Sequence, residues 1–253
     1  MIPRDQIEAQ LGNCLLEARY PEWTSQFRTG KVRDMYLLED KRILITTDRQ
    51  SAFDHVLGAI PLKGQVLNRI ANFWFEQTAD LVANQVIEVP DPNVTVAREL
   101  DMLPVEVVVR AYLTGSSDTS AWTHYARGVR EFCGVTLPEG MIKNQSLDEI
   151  MLTPTTKEAH DRPISEEGIL KEGWMTEEDW SQASAVAMQL FTYGQQVAKE
   201  HGLILVDTKY EMGKDAEGNL TLVDEIHTPD SSRYWIADSY EELHAAGKEP
   251  ENV

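Results

Sequence analysis

The stretch LILVDTKYEMG, residues 203–213, joins an apolar run to three charged residues at alternate positions. Four successive aliphatic residues predict a buried strand. Because side chains alternate between the two faces of a strand, Asp207, Lys209 and Glu211 are expected on the same face. Charges that emerge from a buried strand require partners, so this face is predicted to carry a metal or anion site.

A second strand is predicted to return alongside the first. Loop-forming residues at 213–219 precede a short apolar run at 220–223, which leads into Asp224. Across such a hairpin Glu211 and Asp224 can approach each other, and carboxylates from adjacent strands suit Mg²⁺, which also takes phosphate oxygens and water. Lys209 beside them can neutralise a phosphate or a carboxylate. The alternative is a solvated hairpin whose charges only pair with one another.

Elements upstream of this hairpin define the predicted fold class. Thr176 is predicted to cap a helix, with Asp179 in a box-like arrangement, and Gly202 is predicted to stop it. Strands are predicted at 31–38 and 41–47, with Glu39 and Asp40 at the turn between them, and a further strand at 105–109. A helix is predicted over 64–82. A β-rich start followed by mixed elements predicts an α+β protein of two lobes with a cleft between them, assigned to residues 1–110 and 111–253.

Composition and charge narrow the classes of function. The 253 residues carry a formal net charge of −19, which disfavours nucleic-acid binding because an acidic surface repels a phosphate backbone. No apolar run has the roughly 18 residues that a membrane span needs, and the first residues do not resemble a signal peptide. Cys14 and Cys133 have no metal or redox spacing, which predicts a reduced, cytoplasmic protein.

Basic residues that could bind an anionic substrate recur beside hydroxyl-rich segments. Arg110 ends an apolar strand and precedes Ser116, Lys157 ends the segment TPTTK, and Arg233 ends the segment HTPDSSR. Small hydroxyls next to a basic residue can bind a phosphate through side-chain and backbone donors. Each segment taken alone also fits an ordinary polar turn or loop. The histidines lack metal-ligand spacing, so zinc is not expected.

The N-terminal region adds a glycine turn that feeds a strand. In GKVRD, residues 30–34, Lys31 and Arg33 alternate onto one face and could cover nucleotide phosphates, although the segment is not a Walker A loop. The segment at 47–54 adds polar residues after the next strand, with candidate neighbours of a substrate at Asp48, Arg49 and Ser51.

Six segments together resemble one family, the SAICAR synthetases, or phosphoribosylaminoimidazole-succinocarboxamide synthases. They are GKVRDMY at 30–36, TDRQSAFD at 47–54, PVEVVVRAYLTGS at 104–116, TPTTK at 153–157, LILVDTKYEMG at 203–213 and DEIHTPDSSRYW at 224–235. Any one of them is weak evidence, but together and in the family's order they are specific. The resemblance implies an ATP-grasp-like fold with a nucleotide cleft between its lobes. It also implies that ATP, L-aspartate and carboxyaminoimidazole ribonucleotide (CAIR) react through an acyl phosphate to give SAICAR, ADP and phosphate.

The resemblance further implies roles for individual residues. The metal ligands would be Glu211 and Asp224, which hold Mg²⁺. The residues on the ATP side would be Lys31, Arg33 and Glu106. The ribonucleotide phosphate would be clamped by Arg110, Ser116 and Arg233. The residues facing the imidazole and its carboxylate would be Lys157, Asp207 and Lys209, the last two as catalytic candidates and Asp207 as the hypothetical base.

Two other functions stay open on the residues alone. A small-molecule kinase would also need Mg²⁺ carboxylates and lysines, and would release ADP without aspartate. A nucleotide or metabolite sensor would bind ATP without turnover. The sequence also leaves open a homo-oligomer, a lid over residues 115–128, and whether the acidic tail from Asp238 is only a solvated helix and chain end.

Overall fold

A computed structural model describes residues 3–52, 55–158 and 161–253. Phe53 and Asp54 of the TDRQSAFD segment lie outside the described residues, as does His160. The chain divides by its internal contacts into two compact units, Met1–Ala79 with Asn84–Leu100, and Asp80–Ala83 with Asp101–Val253. The mixed helix and strand content agrees with the predicted α+β class.

The first unit is built on a five-stranded antiparallel sheet with the order β1-β2-β3-β8-β7. Its helices are α1 (Arg4–Gln10), a 3₁₀ helix at Pro21–Gln26 and α2 (Lys63–Gln77). Its strands are β1 (Phe27–Thr29), β2 (Arg33–Leu37), β3 (Lys41–Thr46), β4 (Arg49–Ala52), β5 (His55–Ala59), β7 (Val86–Asp91) and β8 (Val94–Arg98), while β6 (Ala83–Asn84) lies where the chain passes between the units.

Strands β2 and β3 form the hairpin predicted around Glu39 and Asp40. Tyr36 and Ile45 pack with Phe27 in one apolar cluster of this unit. Asp34 of β2 is fully buried, and its partner is Arg49 at 2.8 Å, because a carboxylate removed from water requires a compensating charge.

Helix α2 confirms the predicted helix but ends earlier than residue 82. The Thr78 hydroxyl donates to the carbonyl oxygen of Trp74 at 2.7 Å, and the Thr78 backbone is no longer helical. Leu81, which continues the apolar spacing in the sequence, is 40% exposed. The predicted end is therefore wrong, because apolar spacing continued past the residue at which the backbone leaves the helix.

The second unit contains the remaining elements. Its helices are α3 (Ala121–Ala126), α4 (Glu166–Lys171), α5 (Glu177–Glu200) and α6 (Ala237–Ala245). Its strands are β9 (Asp101–Met102), β10 (Val105–Leu113), β11 (Glu131–Phe132), β12 (Val135–Thr136), β13 (Gln145–Leu152), β14 (Thr155–Thr156), β15 (Arg162–Pro163), β16 (Leu203–Lys214), β17 (Leu220–Val223) and β18 (Ser232–Ile236).

Strand β16 is the centre of the second unit. It pairs antiparallel with β9, β10, β17 and β18. The strand predicted at 203–206 continues to Lys214, so the charged residues 207–211 lie within the sheet rather than after it. Strand β10 also extends past its predicted end to Leu113, and the predicted lobe boundary at residue 110 falls inside it. The division into lobes at 1–110 and 111–253 stays a prediction.

Helix α5 packs its apolar face against β16 and β10. The Thr176 side chain accepts a hydrogen bond from the Asp179 amide at 3.1 Å, which confirms the predicted cap. The Asp179 carboxylate also forms an ion pair with Lys214 of β16. Gly202 follows the helix with φ +72°, as predicted for the stop. None of the helices in the described residues is both long and apolar enough to cross a membrane.

Candidate active site

The register between β10 and β16 assembles the candidate site. Arg110 lies opposite Asp207, and Val108 lies opposite Lys209. Lys209 Nζ lies 3.1 Å from Glu211 Oε1, a contact between residues two apart on a strand, which confirms that they share a face. On this face Glu106 of β10 contacts Lys209, and Arg110 contacts Asp207. One sheet face therefore carries acidic and basic groups from both strands.

A cluster of carboxylates and lysines occupies one part of this face. Lys209 Nζ donates to Glu106 Oε2 at 2.9 Å as well as to Glu211, and Lys157 forms a close ion pair with Glu211. The Thr155 hydroxyl donates to Glu106 Oε1 at 3.1 Å. Burial opposes the charge on Lys209, but Glu106, Glu211 and Asp224 outweigh it and raise the pKa of the ammonium group above its ordinary value. The raised pKa favours the charged form of Lys209, which suits this side chain to binding an anion.

Asp224 directly follows β17 and acts electrostatically on Lys209. The register pairs Glu211 with Val223, which places Asp224 one residue further on. Its φ of +64° is unusual for a residue other than glycine, and such backbone strain is concentrated at functional sites. In the part of the chain that the structure describes, no group of three or more His, Cys, Asp or Glu side chains is arranged to hold a metal.

Two arginines around Asp207 form the second part of the site: Arg110 is buried and Arg233 is half-buried. Arg110 donates to Asp207 Oδ2 at 2.8 Å and to the Thr153 hydroxyl at 2.9 Å. Arg233 Nη1 lies 3.5 Å from the same Asp207 oxygen. Burial lowers the pKa of the Arg110 guanidinium, and Asp207 opposes this shift. Asp207 thus holds two guanidinium groups side by side.

Two cavities adjoin Arg233, which lines both. The larger, of about 370 Å³, is bounded by Asp207 and the turn residues Asp230, Ser231 and Ser232. The smaller, of about 160 Å³, is bounded by Ser116, Lys143 and Asn144. Arg233 thus shares Asp207 with Arg110 and a cavity with Ser116, so the three residues lie in one region. Their role as an anion clamp stays a prediction.

The chain end contributes residues to these cavities that the sequence did not suggest. Glu249 accepts from Lys143 Nζ at 2.6 Å and from the Asn144 side chain at 2.9 Å. Asn252 pairs with Trp235 of β18 and lines both cavities. The acidic tail is therefore more than a solvated helix and end. The final residues, AAGKEPENV, give no sequence signal that they pack against these cavities. The partners of Glu249 lie about a hundred residues earlier in the chain, so no local pattern could predict the contact.

The nucleotide-side candidates Lys31 and Arg33 belong to the first unit. Lys31 is exposed in the turn before β2, and Arg33 is half-buried at the first position of the strand. Asp48 and Arg49 are both buried. The Asp48 carboxylate accepts hydrogen bonds from the Leu15 and Gly64 amides at 2.9 Å each. That Asp48, Arg49 and Ser51 neighbour a substrate stays a prediction.

The chain belongs to the SAICAR synthetase family, whose model matches residues 26–253. It is 58% identical over 241 residues to the phosphoribosylaminoimidazole-succinocarboxamide synthase of Legionella pneumophila (strain Lens), covering 95% of this chain and 77% of that protein. It is 54% identical over 251 residues to the chloroplastic enzyme of Vigna aconitifolia, covering 97% and 73%. The family predicted from the six segments is confirmed, and with it the class of reaction, an ATP-dependent ligation in purine biosynthesis.

Solved structures of the family share the fold. A SAICAR synthase from Saccharomyces cerevisiae, described as complexed with SAICAR, superposes with a TM-score of 0.75 at 31% identity, covering 84% of this chain and 76% of that one. A SAICAR synthetase described as in complex with ADP superposes with a TM-score of 0.71 at 24% identity, covering 85% of each chain. The second comparison supports the fold alone.

Proposed function

We propose that this chain joins L-aspartate to CAIR in a reaction that consumes ATP and forms SAICAR, ADP and phosphate. Membership of the SAICAR synthetase family supports the assignment. The observation that carries it is the single sheet face of β10 and β16, which holds a lysine–carboxylate cluster beside a pair of arginines. Two anionic substrates need two such basic regions.

The reaction requires activation because a carboxylate is a poor acyl donor. A carboxylate oxygen of CAIR attacks the γ-phosphorus of ATP, and ADP leaves. The aspartate amine then attacks the acyl carbon and loses a proton, and phosphate leaves in place of an oxide. The main task of the protein is to position the reactants and to stabilise the charge that develops on the transferring group.

The described side chains fit these tasks. Arg110, Arg233 and Ser116 bind the ribonucleotide phosphate, since guanidinium groups and a hydroxyl provide several donors to one anion. Lys157 and Lys209 face the imidazole carboxylate and the phosphoryl group, where their positive charges offset the negative charge of both groups. The ion pairs that they form with Glu211 and Glu106 hold them in place before the substrates arrive.

Glu211 and Asp224 would hold Mg²⁺. Both carboxylates act on Lys209, and a pair of carboxylates matches the ion's use of one or two of them together with phosphate oxygens and water. When bound, Mg²⁺ would neutralise the negative charge of the ATP phosphates. Lys31, Arg33 and Glu106 are the proposed ATP-side residues. The ATP-grasp-like architecture and a cytoplasmic location remain predictions from the sequence.

The test is ADP release measured with CAIR and ATP, with aspartate omitted from one reaction. We expect release to depend on aspartate. Glu211→Gln should lower kcat by about 100-fold or more, because it removes a ligand charge at the phosphoryl group. Glu217→Gln, on the exposed tip of the same hairpin, is the matched control and should leave kcat unchanged.

The outcomes separate the competing functions. ADP release that proceeds equally without aspartate would identify a kinase instead. Tight ATP binding with no turnover under either condition would identify a sensor. Normal turnover by Glu211→Gln would overturn the proposed metal site while leaving the ligase activity intact.

A further inference from the structure

Arg49 holds the backbone of the turn that carries Lys31. Its guanidinium donates to the carbonyl oxygens of Gly30 at 3.0 Å, Lys31 at 3.2 Å and Leu16 at 2.5 Å. The residue is 8% exposed, and its charge is balanced by Asp34, which is fully buried, at 2.8 Å. A buried guanidinium would be costly without this partner.

The contacts of Arg49 set the orientation of two successive peptide planes. A trans peptide is planar, and its N–H points opposite to its C=O. Because the Gly30 and Lys31 carbonyls both point at Arg49, the N–H groups of Lys31 and Val32 both point away from it. The next carbonyl, of Val32, is also held, by the Thr47 amide at 2.9 Å. The turn is closed by the Gly30 amide, which donates to the Arg33 carbonyl at 2.7 Å.

Two successive amides directed to the same side form an anion-binding concavity. We propose that Arg49 is a positioning residue, which directs the Lys31 and Val32 amides toward the phosphates of the bound nucleotide by holding the carbonyls on the opposite side. The proposal rests on the proposed function, since it places the ATP phosphates at this turn. Arg49 itself does not touch the ligand, and its effect reaches the phosphates only through the backbone.

The first experiment compares Arg49→Lys with Arg42→Lys. A lysine at position 49 keeps a positive charge for Asp34, but a single ammonium group cannot span three carbonyls as a planar guanidinium does. Arg42 is a matched control in the same unit, because it also forms a two-point contact, with Glu99. Calorimetry measures the Kd of MgADP and of adenosine for each variant.

We expect Arg49→Lys to weaken MgADP binding by about tenfold or more while adenosine binding changes less than about twofold. Arg42→Lys should change neither. An MgADP Kd for Arg49→Lys within about twofold of wild type overturns the proposal, as does an equal loss for adenosine and MgADP, which would indicate general damage to the unit. Failure of wild type to bind MgADP at all would overturn the proposed function itself.

A measurement on the wild-type protein keeps the proposal testable if Arg49→Lys does not fold. In a ¹⁵N-labelled sample, the amide protons of Lys31 and Val32 should move downfield on addition of MgADP, as expected for new hydrogen bonds to phosphate oxygens. Adenosine should not produce this change. Amide resonances of Lys31 and Val32 that respond equally to adenosine and MgADP, or to neither, overturn the proposal.

Discussion

Asp207 lies between Arg110 and Arg233, and this position suits orientation of the arginines better than proton transfer. Asp207→Asn should raise the KM for CAIR by about tenfold or more, with a smaller loss of kcat, because the two guanidinium groups lose their shared partner. The free energy of unfolding should fall by roughly 3 kcal/mol, since Arg110 stays buried with less compensation.

Steady-state kinetics and urea unfolding check this prediction. Asp118→Asn is the matched control, because Asp118 also pairs with an arginine but is exposed. A large loss of kcat with an unchanged KM would instead support Asp207 as the general base.

His227 is a buried neutral histidine, and this makes the stability of the protein depend on pH. Burial lowers the pKa of His227 to about 3, whereas an unfolded histidine titrates near 6.5. At pH values between these two pKa values, the histidine is protonated in the unfolded state and neutral in the folded state. The contribution of neutral His227 to the free energy of unfolding is therefore complete above about pH 6.5. As the pH falls toward 3, the free energy of unfolding decreases by up to about 1.4 kcal/mol per pH unit.

His227→Asn should remove this dependence, because asparagine does not titrate there and tolerates the φ of +53° at this position. Urea unfolding at pH 6 and pH 5 measures the slope, which should be shallower than in wild type. His201→Asn, at an exposed position after α5, should keep the wild-type slope. Equal slopes for wild type and His227→Asn would contradict the prediction.

At the scale of elements, the packing of α5 depends on a glycine in its middle. A Cβ at Gly194 would lie 2.4 Å from Cε1 of His227 and 2.9 Å from a methyl carbon of Leu205. Glycine normally weakens a helix relative to alanine. At position 194 the close approach of the His227 ring leaves no room for a Cβ, so glycine is favoured over alanine.

Gly194→Ala should therefore lower the free energy of unfolding by about 1–3 kcal/mol, as overpacking does, despite the better helix propensity of alanine. Denaturant unfolding monitored by circular dichroism is the measurement. Gly12→Ala, where an added Cβ has nothing within 4 Å, should not destabilise the protein. Stabilisation by Gly194→Ala would show that helix propensity outweighs the contact.

At the scale of the whole molecule, the formal net charge of −19 opposes the approach of anionic substrates. Salt screens charges beyond about 8 Å at physiological ionic strength, but it screens close, partly buried contacts much less. Added NaCl should thus weaken the long-range repulsion more than the attraction of Arg110 and Arg233. We expect kcat/KM for CAIR to rise between about 10 and 150 mM salt, with kcat at saturation unchanged. A steep fall in kcat/KM would show that the local basic groups dominate.

Several features followed from the sequence because their causes are local. The Thr176 cap, the β2–β3 and β16–β17 hairpins and the shared face of Lys209 and Glu211 each depend on residues within a few positions of one another. The family could also be identified from the sequence, because six separate segments resemble those of the family and occur in the same order. The spacing of apolar residues predicted the wrong ends for α2, β10 and β16. Helix α2 ends where Thr78 bonds to Trp74, and the two strands extend as far as they pair with neighbouring strands.

By itself, the sequence determined the family, the reaction class and the principal charged residues of the second unit. Only the tertiary structure decided which charges are partners. It pairs Glu106 with Lys209, Arg110 with Asp207 and Arg49 with the turn at Gly30. The physical reason is that a buried charge must be compensated by whichever group the strand register and chain return bring within reach, and that group is usually distant in sequence.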